Sequence, residues 1–150
     1  MRWKYLLCCI IVLLGLNSCK KAATPTPTSA ALILGKWFKV QHTSGLYYNG
    51  LKIDTATSTK FTTDDFVEYF NSGTGYYSVA ASGGPDLSEF TYTIKGALLT
   101  EFSSVVDKGT PITITNLTAS SLSLHVASTV IDPNDDNKLD TEIDYYVYSR

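Results

Sequence analysis

Little in these 150 residues is equipped for redox or metal chemistry, with three cysteines and two histidines in all. Cys8 and Cys9 lie inside an apolar run, so a domain folded beyond that run keeps only Cys19. It therefore has no disulfide and no thiolate cluster for a metal, and its stability must come from burial and strand pairing. His42 and His125 stand far apart, without the H-x-x-x-H spacing of a metal-binding helix. No G-x-S-x-G nucleophile turn occurs. These gaps make an enzyme the unexpected outcome. Basic charge is also scarce: 12 Lys and Arg stand against 14 Asp and Glu, for a formal charge of −2. Lys20-Lys21 is the only basic pair outside the first four residues, which argues against nucleic acid as a partner. Helical periodicity is nearly missing, and so are long apolar runs, with one exception.

The exception is Tyr5–Leu16, YLLCCIIVLLGL, placed after Met1-Arg2-Trp3-Lys4. It is shorter than the roughly 20 residues a spanning helix needs and has the length and flanks of a signal-peptide apolar core. Leu16-Asn17-Ser18-Cys19 follows and resembles the bacterial lipobox, with a Leu three residues before the Cys and a small residue just before it. The resemblance implies a signal peptide over residues 1–18, cleavage before Cys19, and thioether lipidation of Cys19. It implies a lipid-anchored protein of the bacterial cell envelope whose membrane contact is that lipid. Loss of Arg2 and Lys4 then moves the formal charge from −2 to −4. Lys20-Lys21 sits where it can approach anionic head groups. No acidic run follows Cys19, which favours a periplasm-facing anchor over the outer-membrane cell surface. Residues 19–31 form the lipidated Cys and its tether, in which Thr24-Pro25-Thr26-Pro27 favours extended, solvated backbone of about 3.1 Å per residue.

From residue 32 onward, Thr, Ser, Tyr, Val and Ile dominate, and period-two alternation appears repeatedly. Glu89–Lys95 puts Phe90, Tyr92 and Ile94 on one face. Pro111–Thr115 does so with Ile112 and Ile114, Ser121–Val130 with Leu122, Leu124, Val126 and Val130, and Thr141–Tyr148 with Ile143, Tyr145 and Val147. Further strands are expected at Lys36–Thr43, Leu46–Ile53, Asp65–Phe70, Gly75–Ala80 and Leu98–Val106. Turn chemistry separates them at Asn71–Gly75, Ser82–Asp86, Asp107–Thr110 and Asp132–Asn137. A short turn at Ser29–Leu34 is the one helical candidate. The sum is an all-β meander of about eight or nine strands over residues 32–150, which closure into a barrel would relieve of exposed edges.

The order of several segments resembles the lipocalin-like domains of small lipoproteins from Bacteroidetes-type bacteria. Gly35-Lys36-Trp37 opens the first strand, Phe70-Asn71-Ser72-Gly73-Thr74-Gly75 follows as a hairpin, and Ile112–Thr118 with Ser121–Leu124 comes late. The resemblance implies an antiparallel up-and-down barrel, monomeric, that holds a small apolar or amphipathic ligand. It also implies a late arginine stacked on the opening tryptophan, which here points to Arg150 on Trp37.

The inward positions, and hence the pocket candidates, are Trp37, Phe90, Tyr92, Ile112, Ile114, Leu122, Leu124, Ile143 and Tyr145. Ten tyrosines supply rings that either fill a small barrel or line a cavity with hydroxyls to orient a ligand, and the sequence leaves both open. A filled barrel would instead present its loops to an envelope protein or glycan. Asp64-Asp65 is expected at a solvated start of a strand, and His125 on the outer, solvent face. The acidic loop Asp132–Asp140 places oxygens at Asp132, Asn134, Asp136 and Asp140, the first, third, fifth and ninth positions of a calcium loop. Ile143 stands at the twelfth position, where a bidentate carboxylate belongs, which weakens the match and favours an acidic hairpin loop whose Asx residues cap their own turns.

Mass spectrometry of the membrane-extracted protein tests the anchor. The expected mature chain begins at a diacylglyceryl-modified Cys19, and an unmodified mature N-terminus at any other residue would overturn lipidation.

Overall fold

The computed structural model describes residues 28–48, 51–103, 108–130 and 140–150, without the side chains of Thr129, Val130 and Asp140. One short helix, α1 (Ser29–Ile33), leads into nine strands. They are β1 (Gly35–Tyr48), β2 (Leu51–Ser58), β3 (Phe66–Tyr69), β4 (Thr74–Ala81), β5 (Gly84–Lys95), β6 (Leu98–Ser103), β7 (Thr110–Leu117), β8 (Ser121–Val130) and β9 (Asp140–Ser149). From β3 to β9 each strand pairs antiparallel with the next, and β9 returns to pair with β1. Eight strands therefore close into an up-and-down barrel, and β2 is an extra strand on the far half of β1. Strand β1 is shared: Gly35–Phe38 pairs with β3, and His42–Tyr48 pairs with β2.

Alternation explains most of the burial. Phe90, Ile112, Ile114, Leu122 and Leu124 are all buried, as their period-two spacing requires. One end of the barrel is plugged. The Trp37 side chain is fully buried, and its indole N–H donates to the Ile33 carbonyl at 2.6 Å. This bond ties β1 to α1, whose Ile33 is also fully buried. The Arg150 guanidinium lies 3.7 Å from the Trp37 ring centroid, the stacking expected of the late arginine. Its Nη2 donates to the carbonyls of Leu32 and Leu34 at 2.7 and 2.6 Å, so one cation takes up the carbonyls at the C-terminal end of α1.

Four sequence expectations need correction. The expected strand Leu46–Ile53 is divided: Leu46–Tyr48 completes β1, and Leu51 opens β2, which pairs back along β1. Ser82–Asp86 is not a long loop, because β4 and β5 pair as far as Ala81 and Gly84. Asp65 is no solvated residue but a buried one that organises the approach to β3. Its carboxylate accepts from the Thr62 amide and hydroxyl at 2.8 and 3.1 Å and from the Ala80 amide at 3.2 Å. The Thr62 amide bond is the main cause of its lowered pKa. The fourth concerns β9. Ile143 and Tyr145 turn outward, and the alternate set Glu142, Asp144, Tyr146 and Tyr148 faces the barrel interior, opposite Leu124 and Leu122 of β8. Tyr145 is 43% exposed, against 3% for Tyr148.

Among the described residues no helix is long and apolar enough to cross a membrane. The plug should be measurable by urea unfolding. Arg150→Ala is expected to lower stability by about 1–2 kcal/mol, through the lost stacking and the two carbonyl bonds, discounted for solvent exposure. Trp37→Phe is expected to cost more, about 2–3 kcal/mol, because it leaves a void and an unpaired Ile33 carbonyl.

Candidate functional site

Beyond the plug the interior is hollow. A cavity of about 340 Å³ is lined by residues from β1 and every strand from β4 to β9, among them Lys39, Tyr77, Phe90, Glu101, Ile112, Leu124, Val126, Tyr146 and Tyr148. Its space follows from side-chain size. Ser88, Ser103 and Thr110 also line it, and these short groups occupy places where larger ones fill the plugged half. Gly75 adds to this: a Cβ there would collide with the Phe90 ring and the Glu68 carbonyl, so glycine alone lets Phe90 lie over β4.

Glu101 is the central polar group. It is 6% exposed, carried inward on β6 by the same parity that buries Leu99. Tyr69 donates its hydroxyl to Glu101 Oε1 at 2.8 Å, and Tyr77 donates to Oε2. Tyr69 and Phe90 meet edge to face at 5.6 Å, and Tyr77 and Phe90 lie 4.7 Å apart, so the acid sits against a knot of rings. Burial raises the Glu101 pKa, and the two tyrosine bonds oppose that rise with smaller effect. Burial likewise raises Tyr69, Tyr77 and Tyr148, with Glu101 adding to each, and carries Tyr146 up to about 12. The tyrosines are therefore neutral hydrogen-bond donors at any physiological pH. Lys39 shifts the other way, because burial disfavours its ammonium and Asp65 only partly restores it.

A second cluster lies where β1 and β9 pair. A bulge at Val40 keeps both Lys39 and His42 on the inner face, opposite Tyr148 and Tyr146. His42 Nε2 is 2.7 Å from Asp144 Oδ1, and its ring stacks on Tyr146 at 4.5 Å. Ser44 donates to Glu142 at 2.6 Å, so its hydroxyl is turned to the carboxylate and not to the imidazole.

Of the sequence candidates, Phe90, Ile112 and Leu124 line the cavity. Trp37, Ile114 and Leu122 belong to the buried core, and Tyr92 is half-buried with its hydroxyl on the Phe70 carbonyl at 2.8 Å. Ile143 and Tyr145 are outside, where Tyr145 stacks on His125 at 4.9 Å. His125 is thus half covered, and its Nε2 has no hydrogen-bond partner among the described residues. Cys19 and the calcium-loop residues Asp132, Asn134 and Asp136 lie outside the described residues, as does the Asp140 side chain. Among the described residues no three His, Cys, Asp or Glu side chains are placed to share a metal. Sequence reasoning missed Glu101, although its two-residue offset from Leu99 carried the signal. It also missed His42 and Asp144, which only the β1–β9 register brings together.

The Glu101 shift has a pH consequence. A carboxyl whose folded pKa is raised contributes stability below its unfolded pKa and loses it as pH rises through the folded value. Urea unfolding across pH should therefore show Glu101→Gln gaining on the unaltered protein as pH climbs above about 4, the ordinary glutamate range. A pH-independent difference would mean that Glu101 is not titrating under burial.

No protein-family model, curated protein or solved structure matches the chain, so the functional reading rests on this cavity and its residues.

Proposed function

We propose that this protein is a lipid-anchored, lipocalin-like lipoprotein of the bacterial envelope whose barrel holds a small amphipathic molecule in its lumen. The observation that carries the reading is the cavity of about 340 Å³, whose wall joins aromatic and aliphatic side chains to charged ones at Lys39, Glu89 and Glu101 and to short serine and threonine hydroxyls. Ligand sites characteristically pair an apolar wall with a few placed polar groups, and this volume lies at the small end of their range. It accommodates a molecule of about ten to fifteen non-hydrogen atoms. An eight-stranded barrel is the size at which the interior either fills with side chains or holds one small ligand. The Trp37–Arg150 stack supports the lipocalin-like reading, since it occurs where the sequence resemblance implied it. The anchor rests on the lipobox resemblance around Cys19.

The neutral probe 2-naphthol, read by its own fluorescence, tests the lumen in the full-length protein. Val126 lines the cavity and is partly buried, so Val126→Trp should fill it without touching the plug. The expected result is saturable 2-naphthol binding to the unaltered protein and at least a tenfold loss in Val126→Trp. Equal binding by both proteins would place the probe elsewhere and overturn a luminal site.

A further inference from the structure

We propose that the lumen is a site for small organic ammonium ions, with the ligand's charge seated against Glu101 and its hydrocarbon part among Tyr77, Phe90, Tyr146 and Tyr148. This rests on the luminal reading above and names its ligand class.

The argument begins with an imbalance of charge. Among the described residues the basic side chains within reach of a carboxylate are Lys36, on Glu68, and His42, on Asp144. Glu101 is in neither, although it is far more buried than any of those four groups. Among the described residues its hydrogen-bond donors are two neutral phenols. A buried carboxylate without a cation is costly, and phenol donors relieve only part of that cost. Lys39 reaches the same cavity but does not supply the missing charge. Its ammonium lies 5.4 Å from the Phe61 ring and 5.5 Å from the Tyr146 ring, and Asp65 is the acid that acts on it.

The surroundings of Glu101 suit a cation in a second way. Ring faces attract positive charge through their quadrupole, most strongly where water is excluded, and Tyr77, Phe90 and Tyr148 bring such rings to the acid's side of the cavity. Each carboxylate oxygen accepts one phenol and retains a further lone pair, so an ammonium N–H has an acceptor without displacing either tyrosine. An anionic ligand would face Glu101 at close range in a low dielectric, and a neutral apolar one would leave the carboxylate unpaired. Ammonium chemistry alone both meets the charge and uses the rings.

Calorimetry on the full-length protein with three probes of one chain length tests the proposal: hexylammonium, 1-hexanol and hexanoate. The expected order places hexylammonium at least tenfold tighter than hexanol, with hexanoate weakest. Glu101→Gln should remove that preference and leave hexanol binding within twofold. Because the variant is at a buried site, the unaltered protein provides a second readout: hexylammonium should shift the carbon-13 resonance of the Glu101 carboxyl, and hexanol should not. Hexanol or hexanoate binding as tightly as hexylammonium would overturn the ammonium class and leave the luminal site standing. Binding of none of the three, where 2-naphthol still binds, would also overturn it. Loss of 2-naphthol as well would take down the luminal reading itself.

Discussion

Everything in this molecule hangs on the pairing of β1 along both of its edges. On one edge β9 runs beside it from Phe38 to Tyr47, and on the other β3 takes the first turn of the ladder and β2 the remainder. A strand paired on both sides closes the sheet, and closure at eight strands sets an interior only one or two side chains wide. What happens inside is then a matter of local volume. Near α1, Trp37, Ile33 and Leu122 occupy the space completely. Farther along, Ser88, Ser103 and Thr110 point into the same tube and do not. The plug and the cavity are therefore one sheet with two side-chain sizes, and the two alternatives that the tyrosine count left open, filled or hollow, hold in different halves.

Closure also determines the electrostatics. By turning alternate side chains toward the interior it makes each inward acid dependent on what the neighbouring strands offer. Asp144 finds His42 across the β1–β9 ladder, at 2.7 Å and stacked beneath by Tyr146. Among the described residues, Glu101 finds Tyr69 and Tyr77. The two acids thus differ in kind: one has an imidazole against it, and the other, among the described residues, has only phenols. That difference, rather than the number of acids in the lumen, separates a structural contact from a place where a ligand has something to contribute.

The strands were legible in the sequence where one face was plainly apolar and the other plainly polar. β5, β7 and β8 have that pattern, and Phe90, Ile112, Ile114, Leu122 and Leu124 are buried as it demands. In β9 both faces carry apolar bulk: Ile143, Tyr145 and Val147 alternate with Tyr146 and Tyr148. The set with Ile143 and Val147 looks like the inner one, yet the barrel seats Tyr146 and Tyr148 inside, where their rings line the cavity, and leaves Tyr145 outside. Asp144 and Glu142 follow them inward for no reason but parity. The bulge at Val40 was equally invisible, since a one-residue shift leaves no compositional trace, and without it His42 would face away from Asp144. Glu101 is the instructive case. The alternation placed it with Leu99, but a lone Glu in a Leu-Leu-Thr-Glu strand is easily read as a solvated position, and only the tyrosines of β3 and β4 show why it is tolerated inside.

That tolerance links the two ends of the barrel. A buried carboxylate with no cation on it among the described residues works against folding, and a chain without cysteine in its strands has only burial and pairing to offset it. The plugged half contributes to that offset: there Trp37 is fully buried, bonded to α1 and capped by Arg150. The β1–β9 and β8–β9 ladders also run past the cavity, so the barrel is closed where Glu101 has no charged partner among the described residues. A ligand that brings the charge then adds to a structure already formed, instead of forming it. The large interaction available to a cation at Glu101 is accordingly free to appear as binding affinity.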